Sequence, residues 1–424
     1  ALPISENYTV EPTDWAFFVM DKMEYKGIVV NAGLRAEYFD PNETLPADET
    51  DPTWESTDFD DWDGDGISQP YNADFTDNYI HELGDVKNPV TANSKFVFAP
   101  RLGISHPITD HSKLYFNYGR YYQRPQLNYL FRNRGFNLGG GFPIIGNPDL
   151  NPELTVSYEV GVQNEVSRGM IVELKGFYKD IYGLTDTRPV YWTVNDWYTT
   201  YENRDYGNVR GAEFIFAVRP PGMFYGQVNY TYTIAKGKSS SVGQGYLTNW
   251  AGGIVPTFES YLDWDQTHTF NADVNFSYRG FLATMVLSGG SGTRYTEPGQ
   301  GRLIVENTLR LPGHIESDVK LNYMFRLGTI NANLFMTVTN LFDRKNIRYV
   351  DDVEWYHQYK TINDKYDNGD LTREEWLSFV DPDEFNDTDG IPNENKIHPE
   401  MGKNLNPAVY GDSRRFRIGV TFDF

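Results

Sequence analysis

Segments of about 11 to 14 residues with an apolar side chain at every second position recur along this chain of 424 residues. In the last segment Phe416, Ile418, Val420 and Phe422 alternate with polar or small residues. Successive side chains of a β-strand point to opposite faces, so each segment predicts a strand with one apolar face.

The pattern predicts about thirteen strands, near 13–24, 27–39, 94–107, 112–122, 154–167, 170–183, 208–219, 223–236, 266–279, 281–291, 314–326, 329–342 and 412–424. Their connections alternate strictly between very short and long. The short turns lie at 25–27, 108–111, 167–169, 220–222, 279–280 and 327–328. The long loops lie at about 40–93, 123–153, 184–207, 237–265, 292–313 and 343–411.

Short turns on one rim and long loops on the other are typical of an antiparallel transmembrane β-barrel of the bacterial outer membrane, with the long loops extracellular. A soluble β-sandwich or propeller also alternates polar and apolar residues. Those folds have no reason to place every long loop on one side. Tilted membrane strands need about 9–11 residues to cross the hydrocarbon, and the predicted strands are long enough. We therefore predict an all-β, multi-pass outer-membrane barrel.

Composition narrows the function classes. No window approaches the run of about 18 apolar residues that a membrane helix requires. The formal net charge is −22, which argues against a nucleic-acid partner, because phosphates call for a basic surface. The chain contains no cysteine, so disulfides, thiolate metal sites and cysteine nucleophiles are excluded.

The number of predicted strands is odd, which bears on whether they can form a whole barrel. A bacterial barrel formed by one chain has an even number of strands. Counting back from a last strand that ends on the short-turn side, an odd count of thirteen starts on the long-loop side. We therefore expect further strands upstream of this sequence, in the same polypeptide or in another chain.

Several segments together resemble the C-terminal half of TonB-dependent outer-membrane receptors. They are 25–35 (YKGIVVNAGLR), 99–105 (APRLGIS), 146–153 (GNPDLNPE) before 158–161 (YEVG), 206–213 (YGNVRGAE), 263–268 (DWDQTH) and 339–343 (TNLFD). Each segment is short, but their order along the chain is specific, and the resemblance covers nearly the whole of residues 1–424.

The resemblance implies a barrel of about 22 strands that is plugged by an N-terminal domain and imports a scarce ligand with energy delivered through TonB. The sequence departs from that pattern in one respect. It contains neither a plug domain nor a TonB-contacting segment, so coupling to TonB is expected by analogy only.

The last strand also resembles the assembly signal of outer-membrane barrels. Arg417 and Gly419 precede the aromatic Phe422 and the terminal Phe424. This resemblance implies recognition by the barrel assembly machinery. An ordinary strand facing lipid has the same pattern.

The first long loop contains an acidic run that favours calcium. Asp61, Asp63 and Asp65 stand at alternate positions, and Gly66 permits a sharp turn that points several oxygens at one Ca²⁺. The twelfth position is Asn72 instead of Glu, so a complete EF-hand is not matched. The alternative is an acidic loop that is merely solvated.

The last long loop repeats this chemistry. Asp364, Asn368 and Glu375 occupy positions one, five and twelve of an EF-hand-like loop, before a helix-like run. Asp387 and Asp389 form a further oxygen-rich segment. Bound Ca²⁺ would rigidify these loops, whereas the alternative is that the acids only keep the loops soluble.

Aromatic residues are dense in two loops. The loop 123–153 holds Tyr129, Phe131, Phe136 and Phe142, and the loop 184–207 holds Tyr191, Trp192, Trp197, Tyr198 and Tyr201. Exposed rings could stack on a ligand, but packing of the loops against each other is the favoured interpretation.

The sequence predicts a transporter and not an enzyme. Neither an HExxH nor a GxSxG motif is present, and the acids are spread along loops instead of fixed across a substrate. The leading hypothesis is uptake of a nutrient such as a siderophore, glycan, peptide or vitamin. The alternative is a surface scaffold or binding protein with calcium-stiffened loops. A surface lipoprotein or other subunit is a further expected partner, beside the lipid of the membrane.

Overall fold

The structure is a computed structural model. It describes residues 9–53, 59–60, 69–70, 86–134, 143–191, 197–219, 222–250, 258–297, 306–350, 356–357, 360–361, 364–365, 367–373 and 408–423.

The described residues are mostly β-strands. The first half of the chain forms β1 (Thr13–Tyr25), β2 (Ile28–Asp40), β3 (Thr44–Pro46), β4 (Phe59–Asp60), β5 (Gln69–Pro70), β6 (Pro89–Thr91), β7 (Lys95–Thr109), β8 (Ser112–Gln123), α1 (Leu127–Phe131), β9 (Ile144–Ile145), β10 (Glu153–Ser167), β11 (Met170–Tyr191) and β12 (Trp197–Val218). The second half forms β13 (Phe224–Gly237), α2 (Gln244–Trp250), β14 (Ser260–Tyr261), β15 (His268–Tyr278), β16 (Phe281–Gly290), β17 (Arg294–Tyr295), β18 (Leu309–Arg310), β19 (His314–Leu327), β20 (Ile330–Thr339), β21 (Ile347–Val350), β22 (Ala408–Tyr410) and β23 (Arg415–Asp423).

Thirteen long strands form one antiparallel sheet in chain order, β1-β2-β7-β8-β10-β11-β12-β13-β15-β16-β19-β20-β23. The short strands β9 and β14 join the same sheet by pairing with β12 and β13. The thirteen predicted strands and their order are confirmed. Of the two helices, one has five residues and the other seven, and no helix among the described residues is long and apolar enough for a membrane span.

The predicted alternation of connections is also present. Lys26 and Gly27 join β1 to β2 with φ of 46° and 79°, and Arg279 and Gly280 join β15 to β16 with φ of 45° and 83°. Positive φ at both central residues defines the type I′ turn, whose twist matches that of the flanking strands. Such tight turns alternate with the long connections, which all leave the opposite rim.

The two faces of the sheet differ in polarity. In β15, Phe270 and Val274 point to one face, which we call the apolar face, while Asn271 and Asp273 point to the other, the polar face. The register carries both faces across the sheet, since Val274 lies opposite Met285 of β16. Val274 is 46% exposed, as expected for a side chain that meets lipid instead of a protein core.

Glycines on the polar face make room for aromatic rings of the neighbouring strand. Gly419 of β23 is paired with Phe335 of β20, and a Cβ at Gly419 would come within 2.6 Å of that ring. Gly161 of β10 stands in the same relation to Tyr115 of β8. A ring that lies over a cross-strand glycine fixes the register of the two strands.

One prediction about the loops was wrong. Residues 184–207 were expected to form a loop, but β11 and β12 are each 22 residues long and pair as far as Tyr191 and Trp197. The ladder is irregular near Gly183, whose φ is 65°, and continues beyond it. We call the paired stretch formed by 184–191 and 197–205 the arm. The alternation of apolar residues ends where the arm begins, because neither face of the arm meets lipid.

A charge placed on the apolar face tests the assignment of the faces. We expect Val274→Arg to lower the free energy of unfolding by about 2–4 kcal/mol, because it puts a cation near the middle of the hydrocarbon. The adjacent Asp273→Arg puts the same side chain on the polar face and is expected to cost less than about 1 kcal/mol. Denaturant unfolding in lipid vesicles measures both values. Equal losses in the two variants would contradict the assignment.

Candidate functional site: the polar face and the loop cap

A network of charged side chains crosses the polar face at β8, β10, β11 and β12. Lys175 Nζ lies 2.9 Å from a carboxylate oxygen of Glu213 and 3.9 Å from one of Glu159. Asn117 donates a hydrogen bond of 3.0 Å to Glu159. Because all these residues sit at alternate positions of adjacent strands, the pleat of the sheet gathers them on one side.

A second part of the network surrounds Glu173. The hydroxyl of Tyr115 donates to Glu173 at 2.6 Å, and the amide of Gln163 donates to its other oxygen at 3.0 Å. Glu159 and Glu213 thus pair with Lys175, and Glu173, with its own donors Tyr115 and Gln163, lines the same concavity of the polar face as Glu159 and Lys175. The arrangement provides donors and acceptors on an open polar surface.

The described parts of the long connections pack together with the arm above this face, and we call this assembly the loop cap. Its apolar centre consists of buried side chains from four separate chain segments, namely Phe39, Leu130, Phe131, Leu150 and Tyr201. A second buried group joins Ile145, Val190 and Tyr198. The aromatic residues Phe131, Tyr198 and Tyr201 therefore pack inside the loop cap, as the favoured sequence interpretation predicted, whereas Tyr191 is 58% exposed. Phe136, Phe142 and Trp192 lie outside the described residues.

The segment 146–153 explains much of this packing. Asn147 donates to the carbonyl of Tyr201 at 2.8 Å, and the N–H of Asn151 donates to the Asn203 side chain at 2.7 Å. Gly146 passes so close to the turn after α1 that a Cβ would lie 2.5 Å from the backbone nitrogen of Arg132. The segment therefore attaches its loop to the arm.

Asp149 ties the same segment to the start of β7. Lys95 Nζ lies 2.6 Å from its carboxylate, and the N–H of Asn93 donates to it at 2.9 Å. Burial raises the pKa of Asp149, but the bonds from Lys95 and Asn93 outweigh burial and leave the pKa below its usual value. The carboxylate is therefore held in its charged form.

The arm also binds the first long loop. Arg188 pairs with Glu49, and its Nε lies 2.6 Å from Glu202. The hydroxyl of Tyr198 donates to the carbonyl of Glu49 at 2.9 Å, and burial raises the pKa of Tyr198. The phenol stays neutral and acts as a hydrogen-bond donor.

Two carboxylates lie buried at the base of the arm. Asp186 is 1% exposed and Asp205 is 2% exposed. Arg204 Nε lies 3.2 Å from Asp186, and Lys238 Nζ lies 3.0 Å from Asp205, so each carboxylate has a basic partner. Burial, and then the charge of Asp205, raise the pKa of Asp186 to about 6. Helix α2 packs here, where the N–H of Tyr246 donates to the Thr187 hydroxyl at 2.8 Å.

A buried ion cluster forms around Asp265, which is fully buried. Its Oδ2 lies 2.8 Å from Arg294 Nε and 2.6 Å from Arg310 Nη2, and its Oδ1 accepts the N–H of Ala235 at 2.8 Å. Burial raises the pKa of Asp265, but the bonds from Arg294, Ala235 and Arg310 outweigh it, so the pKa is lowered. The guanidinium of Arg294 also lies 3.4 Å from the ring centre of Tyr261. The cluster fastens two long loops to the rim of the sheet.

The structure places only some of the predicted calcium ligands. Asp364 and Asn368 lie in a helical turn, in which the N–H of Asn368 donates to the carbonyl of Asp364 at 3.0 Å. The Asp364 carboxylate pairs with Lys360 at 2.5 Å, and Gly369 follows with φ of 80°. Asp61, Asp63, Asp65, Glu375, Asp387 and Asp389 lie outside the described residues. Among the residues that are described, no group of three or more metal-binding side chains occurs, and calcium binding stays a prediction.

The predicted assembly signal lies in β23. Arg417 and Gly419 point to the polar face, and Phe422, which is 52% exposed, points to the apolar face. Phe424 lies outside the described residues. Recognition by the assembly machinery stays a prediction.

The sequence interpretation missed the ion clusters. Asp265 belongs to the segment 263–268, which was noted for its resemblance alone, and its partners Arg294 and Arg310 are 29 and 45 positions away. Asp186 and Arg204 were assigned to a loop. The available signal was the density of β-branched and aromatic residues in 184–207, which favours strands.

The antiparallel sheet, its two faces and the one-sided long loops define an outer-membrane β-barrel protein. The sequence matches the family described as TonB dependent receptor-like, beta-barrel, over residues 2–341. The chain therefore belongs to the TonB-dependent receptor family, whose members are transporters and not enzymes. This membership locates it in the bacterial outer membrane with the loop cap on the extracellular side.

Individual relatives are distant. The iron-regulated outer membrane virulence protein of Vibrio cholerae serotype O1 is 24% identical over 234 residues, which are 53% of this chain and 32% of that protein. The FrpB iron transporter from Neisseria meningitidis (F3-3 variant) has a TM-score of 0.50 and 15% identity, covering 80% of this chain and 42% of its own. The siderophore receptor PiuA from Acinetobacter baumannii has a TM-score of 0.50 and 14% identity, covering 79% of this chain and 40% of its own.

These similarities show the fold. The chain spans about a third of the length of the Vibrio relative and about two fifths of the two solved structures.

The Asp265 cluster predicts a specific weakness of the loop cap. We expect Asp265→Asn to destabilise the loops 237–265 and 292–313 by about 3–5 kcal/mol, because it leaves two arginines without their buried counter-charge. Hydrogen exchange of the backbone amides of Ala235 and Leu262 measures this opening. The matched control is Asp343→Asn, which removes an exposed carboxylate 3.9 Å from Arg414 and is expected to cost less than about 0.5 kcal/mol.

The same cluster has a defined pH dependence. The pKa of Asp265 is lower in the folded protein than in the unfolded chain, where it is about 3.9. The charged carboxylate therefore stabilises the loops fully above about pH 3.9, and this stabilisation is lost as the pH falls through the folded pKa. Protection of the wild-type loops should thus begin to fall below about pH 4 and continue to fall as the pH approaches the lower folded pKa of Asp265, and Asp265→Asn should lack this step. If the backbone amides of Asp265→Asn exchanged as slowly as those of wild type at neutral pH, the proposed stabilisation of the loops by the Asp265 cluster would be contradicted.

Proposed function

We propose that this protein is the outer-membrane part of a nutrient uptake system, which captures a ligand under the loop cap and passes it along the polar face. The observation that carries this proposal is the group of Glu159, Glu173, Lys175 and Glu213 on the polar face of the sheet, on strands of which β11 and β12 continue outward into the arm of the loop cap. A polar surface enclosed by an apolar exterior supports passage of a hydrophilic solute across the membrane.

The ligand class tested first is a ferric chelate. The name of the Vibrio relative describes it as iron-regulated, and the two solved structures are an iron transporter and a siderophore receptor. A glycan, a peptide and a vitamin remain alternatives, because no described residue selects among them. TonB is the proposed energy source, acting through a plug domain, as the family membership suggests.

Uptake and its dependence on TonB test this proposal together. Cells that carry the full-length protein as their only iron receptor should accumulate radiolabelled ferric chelate when TonB is present, and should only bind it at the surface when TonB is deleted. The double variant Lys175→Gln/Glu213→Gln conserves the net charge but removes the 2.9 Å ion pair. We expect it to lower the uptake rate by about tenfold, equivalent to about 1.4 kcal/mol, without changing surface binding.

A surface scaffold or binding protein is the second candidate. The observation that favours it is the packing of the loop cap, in which Leu130, Phe131 and Leu150 are as buried as a soluble core. A scaffold would bind its partner equally with and without TonB and would accumulate no chelate. That outcome, with a correctly folded protein, would replace the transport proposal by this one.

Calcium is a proposed ligand of the long loops, supported by the acidic runs of 61–65, 364–375 and 387–389. We expect millimolar Ca²⁺ to slow proteolysis within 40–93 and 343–411 by about tenfold, since weak extracellular calcium sites have dissociation constants of roughly 10⁻⁴ to 10⁻³ M. Asp63→Asn/Asp65→Asn should abolish the effect in the first loop. Asp48→Asn, which alters an exposed side chain that bonds Thr50 at 2.7 Å, is the control. Protection by Mg²⁺ to the same extent would argue for simple charge screening.

A further inference from the structure

A groove lies on the apolar face at the upper ends of β13, β15, β16 and β19. It encloses about 330 Å³ and is lined on that face by Tyr230, Phe270, Leu287 and Ile315, with Arg344 at its outer end. The described ends of the strands leave it open toward the surroundings of the barrel. It therefore opens on the side of the sheet opposite to the network around Lys175.

The groove exists because Gly289 interrupts the apolar face. Gly289 lies opposite Phe270 on one side and Ile315 on the other, while the preceding outward position of β16 carries Leu287. A Cβ at Gly289 would lie 3.4 Å from Cγ1 of Ile315. A larger side chain at this position would therefore fill the floor of the groove.

The depth of the groove matches the outer edge of the membrane. Gly289 is eight positions after Phe281, which follows the short turn. With about 3.3 Å per residue and a tilt of about 40°, this separation spans about 20 Å of an apolar band that is about 25 Å tall. Tyr230 and His268, whose side chains form a hydrogen bond of 2.7 Å, stand where aromatic residues meet the headgroups.

Arg344 lines the outer end of the groove, and a second arginine, Arg414, is attached to the same turn. Arg344 is exposed, and its Nη2 donates to the carbonyl of Gly313 at 3.0 Å. No carboxylate pairs with Arg344 among the residues that the structure describes, and exposed Lys345 follows it. The guanidinium of Arg414 lies 5.8 Å from the ring centre of Phe416, which points to the apolar face.

Both arginines are held on one turn. The N–H of Arg344 donates to the side chain of Asn340 at 3.0 Å, and Arg414 donates to the carbonyl of Leu341 at 3.4 Å. Asp343 is bonded to Arg414: its Oδ1 accepts the Arg414 N–H at 3.0 Å, and its Oδ2 lies 3.9 Å from the guanidinium. In a chain with a formal charge of −22, this is a local cationic site beside an apolar groove.

We propose that this groove binds a phosphorylated, acylated lipid of the outer leaflet, with one acyl chain over Gly289 and the phosphate at Arg344 and Arg414. The groove offers the apolar contact that an acyl chain needs, and each arginine near a membrane surface strengthens binding of an anionic headgroup by about fivefold. This site is independent of the proposed transport of a nutrient.

Lipid titration followed by native mass spectrometry tests the site in the full-length protein purified from outer membranes in detergent. The probe is dioleoylphosphatidic acid, and dioleoylglycerol, which lacks the phosphate, is the comparison lipid. We expect the phosphatidic acid to bind about tenfold more tightly or better, and Arg344→Gln/Arg414→Gln to weaken its binding by about 25-fold. Gly289→Leu should weaken binding of both lipids.

Matched variants keep the test specific. Arg279→Gln alters an arginine that lies 5.2 Å from the ring centre of Tyr278 at the opposite rim, and Ala283→Leu introduces a leucine elsewhere on the apolar face of β16. Both should bind the phosphatidic acid as wild type does, and circular dichroism confirms the fold of every variant. Equal binding of the two lipids, unchanged binding in the arginine double variant, or displacement of the lipid by inorganic phosphate would each overturn the proposal.

Discussion

The pairing of every backbone N–H and C=O within the sheet is the constraint on which the rest of this structure depends. In hydrocarbon no water can satisfy an unpaired peptide group, so membrane strands must pair continuously with their neighbours. The described strands meet this requirement at each of the twelve junctions between neighbours by pairing antiparallel in chain order, and β1 and β23 each pair on one side. Continuous pairing fixes the register, and the register fixes which residues face lipid and which form the polar face.

Above the membrane this constraint no longer holds, and ordinary burial takes over. The arm keeps its strand pairing but loses the alternation of apolar residues, because its surroundings are other loops. Its stability comes from buried side chains such as Tyr198 and Tyr201 and from ion pairs such as that of Arg188 with Glu202. In β11 and β12, the part within the membrane is thus determined by the alternation of apolar and polar residues, whereas the part in the arm is stabilised by burial and ion pairs.

Segments that resemble the family have identifiable physical roles here. The segment 146–153 attaches a loop to the arm through Asn147, 263–268 supplies Asp265 to a buried ion cluster, and 339–343 forms a turn that positions Arg344. Between these segments a membrane strand requires only that apolar and polar residues alternate. This explains how a structure with 15% identity can share the fold over 80% of this chain.

The sequence by itself determined the strands, their order, the turns and the two faces, because a period of two residues and the turn chemistry of pairs such as Arg279 and Gly280 are local properties. It also favoured loop packing for the aromatic residues. It could not determine the length of the arm, since outside lipid the same pairing leaves no periodic pattern.

Only the tertiary structure decided which distant charges meet. Asp265 joins Arg294 and Arg310, and Lys175 joins Glu213, through contacts whose partners lie on different strands or loops. The groove at Gly289 likewise depends on which side chains flank a glycine across two neighbouring strands. Such contacts follow from the register of the whole sheet, because a shift of one residue would turn every side chain of a strand to the other face.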